Sequence, residues 1–494
     1  MSNQLPAILN VSTIPTIENM NIKTEVLDPI TITASQAVFM LPKTGILDGG
    51  SMLQLGVTGL PTNFLPFNTG IHGAIRSCFL KCGGKVIASN DDYAYYTTMT
   101  RQFQTPEHRA YVDMVKTGAV GDRWAQTASG RIGFRDANSS TASNGTNTCP
   151  LFLRPTQSDG TTPLFSIPLS TLIPMMKSRQ LPLMAIKEHI YLEVNFNSQT
   201  AAGSQGVVTC VSSGRGADAS VAVSLVNVKF ISDHLYYEQE KMSQLLDQSL
   251  SSQGLTILYE DLITTNAQVQ GLTPASAVVT PQTFERDIAV AGKTVRNILI
   301  QEKNSNEIHP VFGQYLSRDL VAGGSYNFRI NDQRVYDRDV SNPARKYNEL
   351  AQVFGKPLMV PTQAYSYDVD SDKTDPSRRL VQTSMSIGVV EGYALPEATG
   401  ATLTNDLRAC SHYTGYDATT TGANVLGNGA KIGVKPINLV KTFNRTLDDP
   451  TPGVTPLGDN YSPVLGQIQP RELRIFCSVE RIMVIRNGEI TLTA

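Results

Sequence analysis

The sequence predicts an all-β chain of two consecutive antiparallel sandwiches with long loop insertions and a few short helices. Three observations carry that prediction. The first is composition. Hydrophobic residues make up 41% of the 494 positions and charged residues only 17%, with 38 glycines and 27 prolines. Charged residues ordinarily supply about a quarter of a globular chain; Ser, Thr, Asn, Gly and Pro fill the difference, as strand-and-turn proteins require. The second is alternation. Ile190, Leu192, Val194 and Phe196 share one side while Tyr191, Glu193 and Asn195 share the other, the period of two of a strand with one face on a core. The third is that one order of elements occurs twice, roughly 250 residues apart.

Residues 30–39 (ITITASQAVF) and 52–57 are short β-rich runs between turn residues. In residues 74–93 (AIRSCFLKCGGKVIASNDDY), Ile75, Ser77 and Phe79 alternate with Arg76, Cys78 and Leu80. Gly83-Gly84 can supply the positive φ values of a two-residue hairpin turn, and Lys85, Val86 and Ile87 return. Thr105 and Pro106 read as an N-cap and a first helical position, predicting a short helix to about Lys116. Residues 118–162 are rich in Gly, Ser, Asn and Thr and form a loop insertion.

Residues 165–196 (FSIPLSTLIPMMKSRQLPLMAIKEHIYLEVNF) comprise an apolar run, a basic turn at 177–180, and a second apolar run that becomes alternating. They read as a strand pair in a sandwich wall. Pro168, Pro174 and Pro182 cannot donate to a ladder, so each is expected at a strand start, an edge or a bulge. Residues 207–211 and 221–231 give two further strands, and 237–250 a helix.

A polar break at 249–254 (SLSSQG) divides the chain. Beyond it, residues 295–301 form a strand. Tyr326, Phe328 and Ile330 alternate with Asn327 and Arg329, Asn331-Asp332 holds the place of Gly83-Gly84, and Asn342-Pro343 opens a helix closed by Gly355. Both halves end in β-rich runs. Eight strands of about five or six residues fill fewer than about fifty positions, so the rest of each half goes to loops and helices. Jelly rolls tolerate this because their loops gather at the sheet ends, and the short internal period of a propeller does not occur. The expected architecture is two eight-stranded antiparallel jelly rolls, 1–248 with an insertion at about 118–162, and 255–494 with an insertion at about 397–433.

The formal net charge is −2 and neither end carries a basic arm, so strong nucleic-acid binding is not expected. The six cysteines (Cys78, Cys82, Cys149, Cys210, Cys410, Cys477) form no CxxC pair. Cys78 and Cys82, four apart in a strand, are roughly 13 Å apart at about 3.3 Å per residue, too far for a disulfide; buried free thiols in a reducing compartment are expected. The first residues lack a signal-peptide pattern, and no run is long and apolar enough to predict a membrane span. The sequons at Asn138 and Asn144 are therefore expected to carry no glycan.

Catalytic patterns are missing. Gly292-Lys293-Thr294 resembles the tail of a P-loop, but Asp287 stands where the first glycine belongs. There is no GxSxG, and His72, His108, His189, His234, His309 and His412 form neither HExxH nor HxH. Asp368, Asp370 and Asp372 open like a calcium loop, a weak metal candidate, because Lys373 replaces the turn glycine and Arg379 the bidentate Glu. A solvated acidic loop is the simpler reading. Asp91-Asp92 and Glu260-Asp261 are paired acids of the kind glycosidases use, and Tyr93, Tyr95 and Tyr96 beside the first pair could form a sugar platform, though strand packing explains the tyrosines as simply. Arg131, Arg135, Arg378 and Arg379 lie in loop-like regions, where solvent is the default neighbour and another subunit the alternative. No catalytic residue and no cofactor is predicted.

Ile167-Pro168-Leu169, Leu181-Pro182-Leu183, Ala185-Ile186, His189, Tyr191 and the alternating run to Phe196 resemble a pattern in double jelly-roll major capsid proteins of eukaryotic DNA viruses, the lineage of nucleocytoplasmic large DNA viruses, virophages and Polinton-like viruses. In that family the pattern forms neighbouring strands late in the first jelly roll, and FLKCGGKVI resembles the family's strand–GG–strand element. The resemblance implies a non-enzymatic major capsid protein. Homotrimers would form pseudo-hexameric capsomers that tile the icosahedral shell of a double-stranded DNA virus, made and assembled in the host cytoplasm or nucleus. Partners would be neighbouring capsomers and penton and minor capsid proteins, and the two insertions would form outward towers and clasps. Two other readings compete. A carbohydrate-binding or carbohydrate-active β-sandwich needs an aromatic platform near paired acids, and Trp124, the only tryptophan, lies away from them in sequence. A spike or tail component would show fibrous repeats, which are missing.

Overall fold

The computed structural model describes residues 20–57, 63–64, 70–101, 114–117, 125–126, 132–133, 164–177, 179–197, 209–212, 220–222, 225–269, 282–304, 325–341, 343–354, 365–368, 379–382, 412–420, 426–443 and 471–493. The first half contains β1 (Asn21–Leu27), β2 (Thr31–Ile32), β3 (Gln36–Met40), β4 (Ile46–Leu47), β5 (Met52–Val57), β6 (Asn63–Phe64), β7 (Ile75–Cys82) and β8 (Lys85–Asn90). Helices α1 (Tyr93–Arg101) and α2 (Met114–Thr117) precede β9 (Ala125–Gln126), β10 (Ile132–Gly133) and β11 (Leu164–Pro168). Then come α3 (Leu169–Leu172), β12 (Ile190–Phe196), β13 (Thr209–Ser212), β14 (Ser220–Ala222), β15 (Leu225–Tyr236) and α4 (Gln239–Leu250).

One sheet has the order β1-β15-β5-β11, with β4 also on β15; the facing sheet has the order β2-β3-β12-β7-β8. Their inner faces close one core. Leu53, Leu55, Phe165, Ile167 and Phe230 come from the first sheet, and Phe39, Leu80, Leu192 and Val194 from the second, all fully buried. The rings of Phe39 and Phe230 meet across it at 5.8 Å. The alternation expected of 190–196 is observed, with every even residue buried. Residues 30–39 are a tight pair, β2 against β3, rather than one run. At the Gly83-Gly84 turn only Gly83 has positive φ, +57°.

The segment 165–196 departs from the expected strand pair. β11 pairs β5, whereas β12 pairs β3 and β7 in the opposite sheet. The residues between them cross the end of the sandwich as α3 and two 3-10 turns (Pro174–Lys177 and Leu183–Ala185). Pro168 ends β11 on the sheet edge, while Pro174 begins one turn and Pro182 caps the next. Buried on all sides, Leu172, Ile173, Met175, Leu181 and Ile186 show no alternation to read. The family pattern's neighbouring strands are thus in facing sheets here.

In this wall His234 of β15 is fully buried, its Nε2 2.8 Å from Ser232 Oγ. Burial pushes its pKa down against the opposing pull of Glu25, the Thr44 backbone and Asp233, while Lys23 adds to the depression. A lowered folded value means the unfolded chain binds the proton first, so stability is lost as pH falls below about 6.5. Melting temperature followed from pH 7.5 to 5.5 should fall less steeply for His234→Gln; equal slopes would exclude His234 as a contributor.

The second half contains β16 (Leu255–Val269), β17 (Gln282–Ile288), β18 (Thr294–Asn304), β19 (Ser325–Ile330), β20 (Gln333–Arg334), α5 (Pro343–Val353), β21 (Tyr365–Asp368) and β22 (Arg379–Gln382). It continues through β23 (His412–Asp417), β24 (Ala430–Lys431), β25 (Ile437–Phe443), β26 (Arg471–Arg486) and β27 (Glu489–Thr493). Its sheets run β16-β26-β18-β23, with β24 on β18 and β27 on β26, and β17-β25-β19-β20. This repeats the first half position by position: β16 for β1, β26 for β15, β18 for β5, β23 for β11, and β25, β19 and β20 for β12, β7 and β8. A second core lies between these sheets, including Ile298, Ile300, Ile475, Tyr326, Phe328 and Leu439. Asn331 and Asp332 both have positive φ in the turn between β19 and β20. β23 falls inside the stretch expected as the 397–433 insertion; its Gly415 admits α5, since a Cβ there would sit 2.9 Å from Val353 and 3.1 Å from Leu350 side-chain atoms. Most of the 118–162 insertion and the helix expected from Thr105 lie outside the described residues, apart from β9, β10 and α2.

Candidate functional site

The two sandwiches share a ribbon. β16 and β26 pair without a break from Leu255↔Ile485 to Val269↔Arg471. Side chains alternate along a strand, so the odd-numbered residues of both strands stay on one face for the ribbon's whole length. At one end that face, with Ala267, Leu473, Ile475 and Cys477, enters the second core. At the other, Tyr259, Met483 and Ile485, joined by Ile490 of β27, enter the first. The even face carries Leu262 and Phe476, which with Leu299 pack against α1 from the first half and α5 from the second.

The sheet edges at this seam are closed by side chains. β8 ends one sheet and β16 another, and bare strand edges invite unwanted pairing. Tyr259 donates its hydroxyl to the Ile87 carbonyl at 2.6 Å, and Asp261 accepts from the Ser89 N–H at 3.2 Å. In return Arg179 donates to the Leu258 carbonyl at 2.8 Å. The basic turn therefore ties the halves together, Gln180 reaching Asp48 beside it.

Charges complete the seam. Arg474 pairs with Asp92 at 2.9 Å and Glu472 at 2.6 Å and lies 3.6 Å over the Tyr95 ring. Arg481 pairs with Asp261 at 2.6 Å. Arg296 sits where the β18–β26 register shifts between Val295 and Asn297, and that irregularity aims it at Glu260 and Glu480. Burial holds Asp261 above the usual carboxylate range despite Arg481, and raises Asp91, which also faces Asp92 and Asp261.

The paired acids do not make a catalytic centre. Glu260 and Asp261 are successive strand residues on opposite faces, one serving Arg296 and Ser478, the other Arg481 and Ser89. Tyr93, Tyr95 and Tyr96 are helical, not strand, residues and turn inward in three directions. Tyr93 is fully buried with its hydroxyl 2.6 Å from His72 Nδ1; Tyr95 lies under Arg474, and Tyr96 meets Phe476 at 5.4 Å. These three rings share no flat face that a sugar could stack on. Gly292-Lys293-Thr294 leads into a strand, where a P-loop would open a helix. Asp368 ends β21 opposite Arg379; Asp370 and Asp372 lie outside the described residues, as do Arg131, Arg135 and Arg378. Among the described residues no cluster of three or more His, Cys, Asp or Glu could hold a metal, and no helix is long and apolar enough to cross a membrane. Cys78, Cys82 and Cys477 are free and buried.

Residues 51–238 match the family model described as major capsid protein N-terminus. No curated protein matches the chain in sequence. Solved structures do match its fold. VP54 of PBCV-1, fitted into a reconstruction of the virophage Sputnik, has a TM-score of 0.57 at 12% identity, covering 96% of this chain and 97% of its own. The Sputnik virophage structure at 3.5 Å has 0.57 at 12%, covering 100% and 93%, and the PBCV-1 capsid 0.56 at 11%, covering 96% and 97%. These neighbours are double jelly-roll capsid proteins, and the fold of this chain is theirs. The resemblance read from residues 165–196, which lie inside the matched region, is borne out, and the role it supports is that of a virion capsid protein.

Proposed function

We propose that this double jelly-roll chain is the major capsid protein of a double-stranded DNA virus and assembles as a homotrimer into pseudo-hexameric capsomers. The observation that carries the reading is the repeated sheet order fused through one ribbon. Two similar sandwiches per chain, taken three times around a closed axis, present six similar sides to their neighbours. Obligate interfaces of this kind bury several thousand Å². The jelly rolls would span 1–248 and 255–494, the insertions would supply towers and clasps, and neighbouring capsomers with penton and minor capsid proteins would be the partners in a shell built inside the host cell. With its paired acids and tyrosines engaged at the seam, the chain is assigned no enzymatic role, no cofactor and no strong nucleic-acid binding.

Purified protein should run at three times the mass of a single chain and give hexagonal blocks by negative-stain microscopy. A chain that stays monomeric at high concentration would remove the capsomer reading.

A further inference from the structure

The ribbon strand β16 pairs on one side only, with β26. Along its other edge, Tyr259 and Asp261 hold β8, and Arg179 donates to the Leu258 carbonyl. In an antiparallel ladder the N–H and C=O of one residue point to the same side, and that side alternates along the strand. The Leu258 carbonyl points away from β26, so the Leu258 N–H and both backbone groups of Thr256 do too. Among the described residues nothing bonds to those three groups. They border a cleft of about 870 Å³ lined by this edge, by the basic turn and by residues 48–50, a size usual for ligand clefts. Two cations, Lys177 and Arg179, line it against one acid, Asp48. Asp48 is already engaged, its Oδ2 accepting from Gly50 N–H at 2.9 Å and its Oδ1 from the Gln180 amide at 3.2 Å. Lys177 is exposed and makes no ion pair among the described residues. The cleft thus joins an unused stretch of strand edge to a surplus of positive charge.

We propose that this cleft is a docking site for a partner protein, which enters as a short extended segment carrying a carboxylate side chain. One residue of the segment exchanges two hydrogen bonds with Thr256, and a neighbour accepts from the Leu258 N–H, so the segment adds a strand to β16. Its carboxylate pairs with the Lys177 ammonium and with the Arg179 guanidinium, whose tie to the Leu258 carbonyl stays in place. Backbone pairing supplies affinity without regard to sequence, and the two cations supply the preference for an acidic partner. The segment is short because β8 closes the edge from Tyr259 onward. The site adds a partner surface to the capsid reading and does not depend on trimer formation.

The test selects short random displayed peptides against the full chain and measures the winners, fluorescently labelled, by anisotropy on wild type, Thr256→Pro and Lys177→Glu. Thr256→Pro removes one outward N–H, and proline is tolerated where an edge strand's N–H lies outside the ladder. The winners should be enriched in Asp and Glu, and both variants should bind them roughly ten-fold more weakly than wild type. A selection without acidic enrichment, or winners that bind either variant as tightly as wild type, overturns the proposal. Should Thr256→Pro not fold, a winning peptide is methylated on each backbone nitrogen in turn. At least one methylation should abolish binding to wild type, and binding that survives all of them overturns the added strand. A peptide copied from this chain's own sequence that binds more tightly than every selected peptide would make the occupant this chain, its own segment or a second copy's, and overturn the partner.

Discussion

Phe476→Ala is expected to destabilise the chain by about 3–5 kcal/mol, the range for emptying a buried aromatic site, and to split one unfolding transition into two. Phe476 is fully buried, yet it belongs to neither sandwich core. It projects from the even face of β26, meets the Tyr96 ring, and fills the space between α1, α5 and the outside of the β16-β26-β18 sheet. Removing it leaves both cores filled and opens a cavity where the halves meet. Its neighbour in sequence is the control: Cys477, on the odd face in the second core, changed to Ala should weaken that sandwich without separating the transitions. Scanning calorimetry reads both. A single transition for Phe476→Ala, displaced by less than about 1 kcal/mol, would show that the seam does not depend on this ring.

Gly49→Ala should cost about 3 kcal/mol although it adds one methyl group. The residue's φ is not in the left-handed region, so backbone strain is not the reason. The reason is space. A Cβ would lie 2.2 Å from the Met176 carbonyl oxygen, a backbone atom of the 3-10 turn that crosses the end of the first sandwich. The turn cannot move freely, because Met176 N–H is bonded to the Ile173 carbonyl at 3.0 Å and α3 just before it is pinned, Ser170 N–H to the Gly49 carbonyl at 3.0 Å and Leu169 N–H to that of Ser51 at 2.6 Å. Overpacking against fixed backbone sits at the upper end of the usual range. Gly84, whose added Cβ meets nothing within 4 Å, is the comparison: Gly84→Ala should change stability by less than about 0.5 kcal/mol. Denaturation midpoints of the two variants measure the difference, and similar midpoints would mean the crossing turn yields.

What could be read from the sequence was what alternates or turns. The strand 190–196, the Asn331-Asp332 turn and the Pro343 helix have local signatures, and the structure contains all three. The crossing segment 168–189 had none, because a run buried on every side shows no period. α1 was missed for a related reason. Its tyrosines and threonines favour strands, and burial between the halves overrides that preference; the one available sign was Asp92 placed as an N-cap before it. β23 was hidden because Gly415 and Asp417 are poor strand residues and the run sits in a Gly/Thr/Asn-rich stretch; Gly415 is required only by the approach of α5, a contact far away in sequence. The seam was the least legible part. Asp92 and Asp261 look like catalytic acids in sequence, and only the fold shows their carboxylates turned to Arg474 and Arg481.

The unbroken ladder from Leu255↔Ile485 to Val269↔Arg471 has a mechanical consequence. Strands twist with a fixed hand, so two cores keyed to one ribbon are held at an angle set by that twist and not by a hinge. Bending one sandwich against the other would require breaking ladder hydrogen bonds together with the Tyr259 and Arg179 ties. In a closed shell of such subunits, the curvature would have to be absorbed at contacts between capsomers, leaving each subunit equally stiff on a flat facet and beside a vertex.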